Sequence, residues 1–170
     1  GINVEEVNYD DCADELKAAI ALGQTDTILT KAMRLQLDSL VAAGQKELET
    51  NKDAAEVKEY AKNLTASINT ILGYAGDVKT LLQTIDICGK TEDKGYMKEA
   101  LEAVTAGVDT CVNNSQTNSL LSTLRLARKR NALERHTEKY VGSQPAAYDN
   151  DASIGDNAEG AYYIYNVGER

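Results

Sequence analysis

VKEYAKNLTASINTILGYAGDVKTLLQTI, residues Val57 to Ile85, decides the fold. Apolar side chains recur at Val57, Ala61, Leu64, Ile68, Ile71, Ala75, Val78, Leu82 and Ile85, in steps of four and three. That is the seam of a heptad repeat, sustained for about four heptads and spanning about 42 Å of helix. The opposite face carries Lys58, Glu59, Lys62, Asn69, Asp77, Lys79 and Gln83. A helix this long with a single apolar seam must bury it against other helices.

The flanking sequence supplies those helices. Asp10 or Asp11 is placed to cap a short helix ending near Leu22, with Leu16, Ala19 and Ile20 inward and Gly23 as its stop. Thr25 or Asp26 offers the cap of a second helix over 27–50, with the seam Leu29, Met33, Leu37, Leu40, Gly44, Leu48. Asp53 caps the central helix, which Gly89 closes. Gly73 and Gly76 flank Tyr74 inside it and mark a bend or a close helix approach. Met97, Leu101, Val104, Val108 and Cys111 form the seam of the next helix. The last runs over 118–141, capped by Ser115 or Thr117, with Leu120, Leu121, Leu124, Ala127, Leu133 and Tyr140 as its less regular seam. Pro145 ends the helical sequence. The expected class is all-α: an elongated up-and-down bundle of four principal antiparallel helices plus a short N-terminal helix. The bundle is expected over 1–142. An acidic, Tyr-rich, mostly non-helical tail is expected over 143–170, where AYYIYNV (161–167) alone has strand character.

Composition fits that class. The 170 residues contain no Trp and no Phe, so core volume comes from aliphatic side chains and Tyr, which suits close-packed helices. A net charge of −9 argues against nucleic acid as partner, because phosphate recognition needs a strongly basic face. No apolar run is long enough to span a membrane, while peripheral docking on one stays open. The first residue, Gly1, is not Met, and we read this as a removed targeting peptide or a trimmed chain. The expected location is outside the cell or in an organelle lumen such as the thylakoid, ahead of the cytosol.

Three cysteines, Cys12, Cys88 and Cys111, are the disulfide candidates. Helix register favours Cys12–Cys88, followed by Cys12–Cys111; three packed thiols are the alternative. No CxxC is present, so common zinc and redox spacings are missing.

Catalytic patterns do not emerge. The single histidine, His136, beside Arg135, reads as a surface residue. No GxSxG, Walker loop or GxGxxG occurs. Asp149-Asn150-Asp151 begins like a calcium loop, but Ile154 stands where the loop needs Gly and Gly160 where it needs Glu. We therefore expect no enzyme activity, no metal and no cofactor.

Two features point to a partner. The last helix carries Arg125, Arg128, Lys129, Arg130, Arg135 and Lys139 against only Glu134 and Glu138. Several of these can share one helix face and dock on an acidic surface. The tail holds Tyr148, Tyr162, Tyr163, Ile164 and Tyr165, residue types enriched at interfaces. Long heptad seams without a site motif give the chain an architecture that resembles the small extrinsic helical bundles docked on the lumenal side of photosystem II. It is similar in the same way to secreted arthropod or protozoan surface bundles. The resemblance implies a non-catalytic subunit held on a larger, membrane-bound assembly, and it transfers no site residue. The expected function is thus a structural or interaction subunit binding a protein partner or larger complex. The alternatives are a secreted carrier of an apolar ligand and a surface-coat bundle.

Overall fold

The computed structural model describes residues 7–140, with side chains as far as Thr137. The tail beyond lies outside the described residues, and with it Tyr148, Tyr162, Tyr163, Ile164, Tyr165 and the strand-like 161–167. The described residues form six helices: α1 (Tyr9–Gly23), α2 (Lys31–Thr50), α3 (Ala54–Leu72), α4 (Ala75–Gly89), α5 (Lys98–Val108) and α6 (Asn114–Tyr140). The all-α class is as expected. The central helix expected over 53–89 is two helices, α3 and α4, and the chain divides into two compact units. Of the described residues, the first takes 7–79 and again Asp109–Asn114; the second takes Thr80–Val108 and 115–140.

The first unit is built on α1, α2 and α3, with α1 packed most extensively on α3. Side-chain caps start each helix. Asn8 accepts from the Asp10 N–H at 2.8 Å, Thr30 from Met33 at 3.1 Å and Asp53 from Glu56 at 3.0 Å. Asp10 and Asp11 favour the positive end of the α1 dipole. Leu16, Met33, Leu37, Val57 and Ile68 are completely buried in one core that also holds Cys12, Ala61, Leu64 and Ile71. Each such aliphatic side chain contributes roughly 1.5–3 kcal/mol. Two glycines let the helices approach closely. A Cβ on Gly23 would stand 2.6 Å from Val41 Cγ2, and one on Gly44 would stand 2.8 Å from Leu64 Cδ2.

Helix α2 begins four residues later than the sequence suggests. The Arg34 guanidinium donates to the Thr25 carbonyl at 3.3 Å and the Thr27 carbonyl at 3.1 Å, which holds that segment out of the helix. Thr30 is then the cap, and its hydroxyl donates to the Cys111 carbonyl at 2.5 Å. The Ala32 N–H donates to the Asp109 carbonyl at 3.0 Å. Backbone carbonyls from Asp109–Asn114 thus satisfy groups at the α2 N-terminus, which is why that stretch belongs to the first unit.

The seam over 57–85 is only half followed. Val57, Ala61, Leu64, Ile68 and Ile71 are buried as expected. The helix then breaks at Gly73–Tyr74. The Gly73 N–H reaches Asn69 O at 2.9 Å, but the Tyr74 N–H turns to Ile71 O at 3.0 Å, a tightened turn. After the break the buried residues are Val78, Leu81 and Cys88, with Thr84 at 6 %, while the expected Leu82 is 39 % exposed. Val78 belongs to the first core; Leu81 and Cys88 belong to the second.

In the second unit α4, α5 and α6 share a core of Leu81, Cys88, Met97, Val104, Val108, Leu121, Leu124 and Ala127. Leu120 packs over Gly107, where a Cβ would sit 3.3 Å from it. Within α6 the seam holds at Leu121, Leu124 and Ala127, but the helix starts at Asn114, so Thr117 lies inside it and is fully buried.

Candidate functional site

The candidate site is built from α6 and the loop joining α4 to α5. Asp93 organises that loop. Its carboxylate accepts from the Gly95 N–H at 2.8 Å, from Tyr96, Met97 and Lys98 at 3.1 Å each, and so caps α5. These bonds, with that from Met97 foremost, hold the carboxyl below its ordinary pKa. Gly95 takes φ +97°, a conformation that a side chain would strain.

From α6, Asn131 locks the loop in place. It is fully buried, its Oδ1 accepts from the Lys94 N–H at 2.6 Å, and its Nδ2 donates to the Glu92 carbonyl at 2.9 Å. Tyr96 is thereby fixed at the surface, 38 % exposed, with the Arg130 guanidinium 4.9 Å over its ring. One turn before Arg130 stands Leu126, 63 % exposed.

Arg125, Arg128, Lys129 and Arg135 fall within about 120° of the helix circumference, and Arg130 lies off that arc. Arg125 and Arg130 are exposed, yet five residues apart they point about 140° away from each other around the helix. Arg128, Lys129 and Arg135 are half-buried, and the Lys139 side chain lies outside the described residues. Arg128 sits close enough to Cys88 to favour its thiolate, but burial outweighs this and pushes the Cys88 thiol up. His136, expected at the surface, is 6 % exposed, and Asn131 and Ala132 before it are buried as well.

The disulfide expectation is corrected. Cys12, Cys88 and Cys111 are free thiols, and all are buried. Cys12 and Cys88 are built into the cores of different units, and the Cys111 carbonyl accepts from the Thr30 hydroxyl. Burial also raises the Cys111 thiol. Register arithmetic assumed one continuous central helix, and the Gly73–Tyr74 break removes that premise.

Among the described residues no group of three or more His, Cys, Asp or Glu side chains is placed to hold a metal ion. No described helix is long and apolar enough to cross a membrane. The first unit carries shallow grooves, one lined by Leu35, Gln36, Ser39, Leu40 and Ile71 and another by Ala18, Ala19, Leu22, Ala61 and Thr65 with Glu15 and Lys62 at its edges. Against protein-family models, curated proteins and solved structures, the chain has no match.

Sequence reasoning missed Asn131, Asp93, Tyr96 and Leu126. Asp93-Lys94-Gly95 carries a legible turn signal, an Asx side chain followed by glycine. Leu126 falls off the stripe of Leu121, Leu124 and Ala127, which marks it as outward. Asn131 is a poor helix former in a helix interior, a weaker sign that its amide is used elsewhere.

Proposed function

We propose that this chain is a non-catalytic helical subunit that docks on a larger assembly, soluble or membrane-bound, through the outward side of α6. The acidic Tyr-rich segment 143–170 is the second contact in this reading. Charge segregation carries it. From Asn114 to Leu133 the helix has Arg125, Arg128, Lys129 and Arg130 and not one Asp or Glu, in a chain of net charge −9. Such a local reversal of sign steers and orients a partner with an acidic surface more than it stabilises the fold. Short connections, such as 51–53 between α2 and α3, favour antiparallel neighbours within each unit. We place the protein outside the cell or in an organelle lumen.

The test is binding of the full chain to a partner isolated with it and identified by mass spectrometry. Arg125→Glu with Lys129→Glu is expected to slow association and flatten its salt dependence. Deleting 143–170 is expected to speed dissociation. Unchanged rates in both variants would overturn the reading.

A further inference from the structure

Tyr96, Leu126 and Arg130 have a combination of properties that nothing in the fold requires. Leu126 is 63 % exposed and Tyr96 is 38 % exposed, and neither belongs to a core. Arg130 lies one turn after Leu126, so the two share a strip of surface. A helical side chain leans over the turn before its own Cα, which carries Arg130 toward Leu126. Its guanidinium stands 4.9 Å over the Tyr96 ring. A cation held over an aromatic ring keeps its N–H edge for an acceptor and loses little side-chain freedom on binding. The ring is itself held, because Asp93 caps the backbone at Tyr96 and the buried Asn131 clamps Lys94. Lys129 adds a second positive charge beside Leu126, and Leu133 continues the apolar strip, half-buried.

We propose that Tyr96, Leu126 and Arg130 are the anchor of the docking face, and that they take a protein segment presenting a carboxylate next to an apolar side chain. This rests on the reading of α6 as a docking surface and adds its partner's chemistry. Charge complementarity selects the occupant: the strip is cationic, and a carboxylate fits the guanidinium edge in paired hydrogen bonds. Tyr and Arg are also residue types enriched at interface hot spots. A lipid surface is the poorer fit. One exposed leucine is a weak insertion signal, stable membrane attachment takes two, and the net charge of −9 opposes an anionic bilayer.

The experiment is a ¹⁵N-correlation NMR titration of the full chain with a synthetic helical peptide of alternating Glu and Leu clusters. Saturable shifts confined to the neighbourhood of Tyr96, Leu126, Lys129, Arg130 and Leu133 are expected. Leu126→Ser and Arg130→Gln should each weaken binding by about tenfold or more, with the remaining spectrum unchanged. A peptide with Ser in place of Leu should bind as poorly as wild-type peptide binds Leu126→Ser. No shift at low-millimolar peptide overturns the proposal. So do shifts produced only by phosphatidylserine vesicles, shifts of the same signals on diluting the chain alone, which mark a second copy, or their movement on deleting 143–170 without peptide. Binding that survives both anchor variants but is lost in Arg125→Glu with Lys129→Glu removes this anchor and leaves the docking role of α6 standing.

Discussion

Replacing Gly23 with alanine adds one methyl group where α1 meets α2 and α3. Gly23 does not have a positive φ, so the backbone accepts alanine, and the effect is decided by space. The new Cβ would lie 2.6 Å from Val41 Cγ2 and 3.0 Å from Ile68 Cδ1. Val41 branches at Cβ and is held to one rotamer in a helix, so its Cγ2 cannot swing away. Ile68 is completely buried and has little room to yield. Forcing an extra carbon into such a site costs about 1–3 kcal/mol. Helix preference returns at most about 1 kcal/mol, and less at a helix end. The net expectation is a loss of about 1–2 kcal/mol. For a unit of this size each kcal/mol lowers Tm by about 4–8 °C. Urea unfolding followed by helical circular dichroism reads the loss as a lower midpoint at unchanged slope. Gly76→Ala is the matched control: a Cβ there meets nothing within 4 Å, so the same chemical change should stabilise by up to about 1 kcal/mol. Adding Val41→Ala to Gly23→Ala should recover about 0.5–3 kcal/mol relative to additivity. A Gly23→Ala protein as stable as the wild type, with Gly76→Ala behaving as stated, would refute the close approach of α1 and α2.

Other outcomes follow from the loop and the thiols. Asn131→Ala removes the bonds to the Lys94 N–H and the Glu92 carbonyl and should cost about 1–3 kcal/mol, with faster hydrogen exchange at the Lys94 amide. The Asp93 carboxyl is depressed in the folded state, so its contribution is present above its unfolded pKa and is lost as pH falls through its folded pKa. Asp93→Asn should therefore flatten the acid limb of the stability–pH profile, and an unchanged limb would show that the carboxylate is not the cap. Native protein should resist iodoacetamide at mildly alkaline pH, because burial raises the Cys88 and Cys111 thiols, and should gain three labels only on unfolding; full labelling of the native chain would count against this burial.

Most of the helices are legible from their apolar stripes, less so from their caps: Asn8 and Thr30 cap α1 and α2 where Asp10 or Asp11 and Thr25 or Asp26 are expected. Asp53 was identified as a cap from its position alone, and Leu16, Ala19 and Ile20 face inward as their spacing requires. The break at Gly73–Tyr74 was legible only as a pair of glycines. A heptad pattern names the residues able to face a partner, but it does not require the helix to continue. Leu81 and Leu82 are adjacent and both apolar, so the sequence satisfies either register, and the tightened turn at Tyr74 selects Leu81. At about 100° per residue, Arg125, Arg128, Lys129 and Arg135 of α6 share an arc of about 120°, but that arc runs into the buried stripe of Leu121, Leu124 and Ala127, so all but Arg125 are half-buried, and Arg130 lies off it. His136 has polar neighbours in sequence, which carry no information about what encloses it in space. Asn131 was illegible for the opposite reason: its partners, Glu92 and Lys94, are nearly forty positions away along the chain.

The bond from Thr30 to the Cys111 carbonyl bears on how the chain is made. It joins residues 81 positions apart, so the ribosome completes α1, α2 and α3 well before the segment that finishes the α2 N-terminus exists. At roughly 5–20 residues per second the interval is several seconds, long compared with the microseconds in which helices form. During that time the nascent first unit has its core residues but lacks the carbonyls that close its second helix. Expression of residues 1–79 alone would make this interim state permanent, and its helix would fray from Lys31 inward.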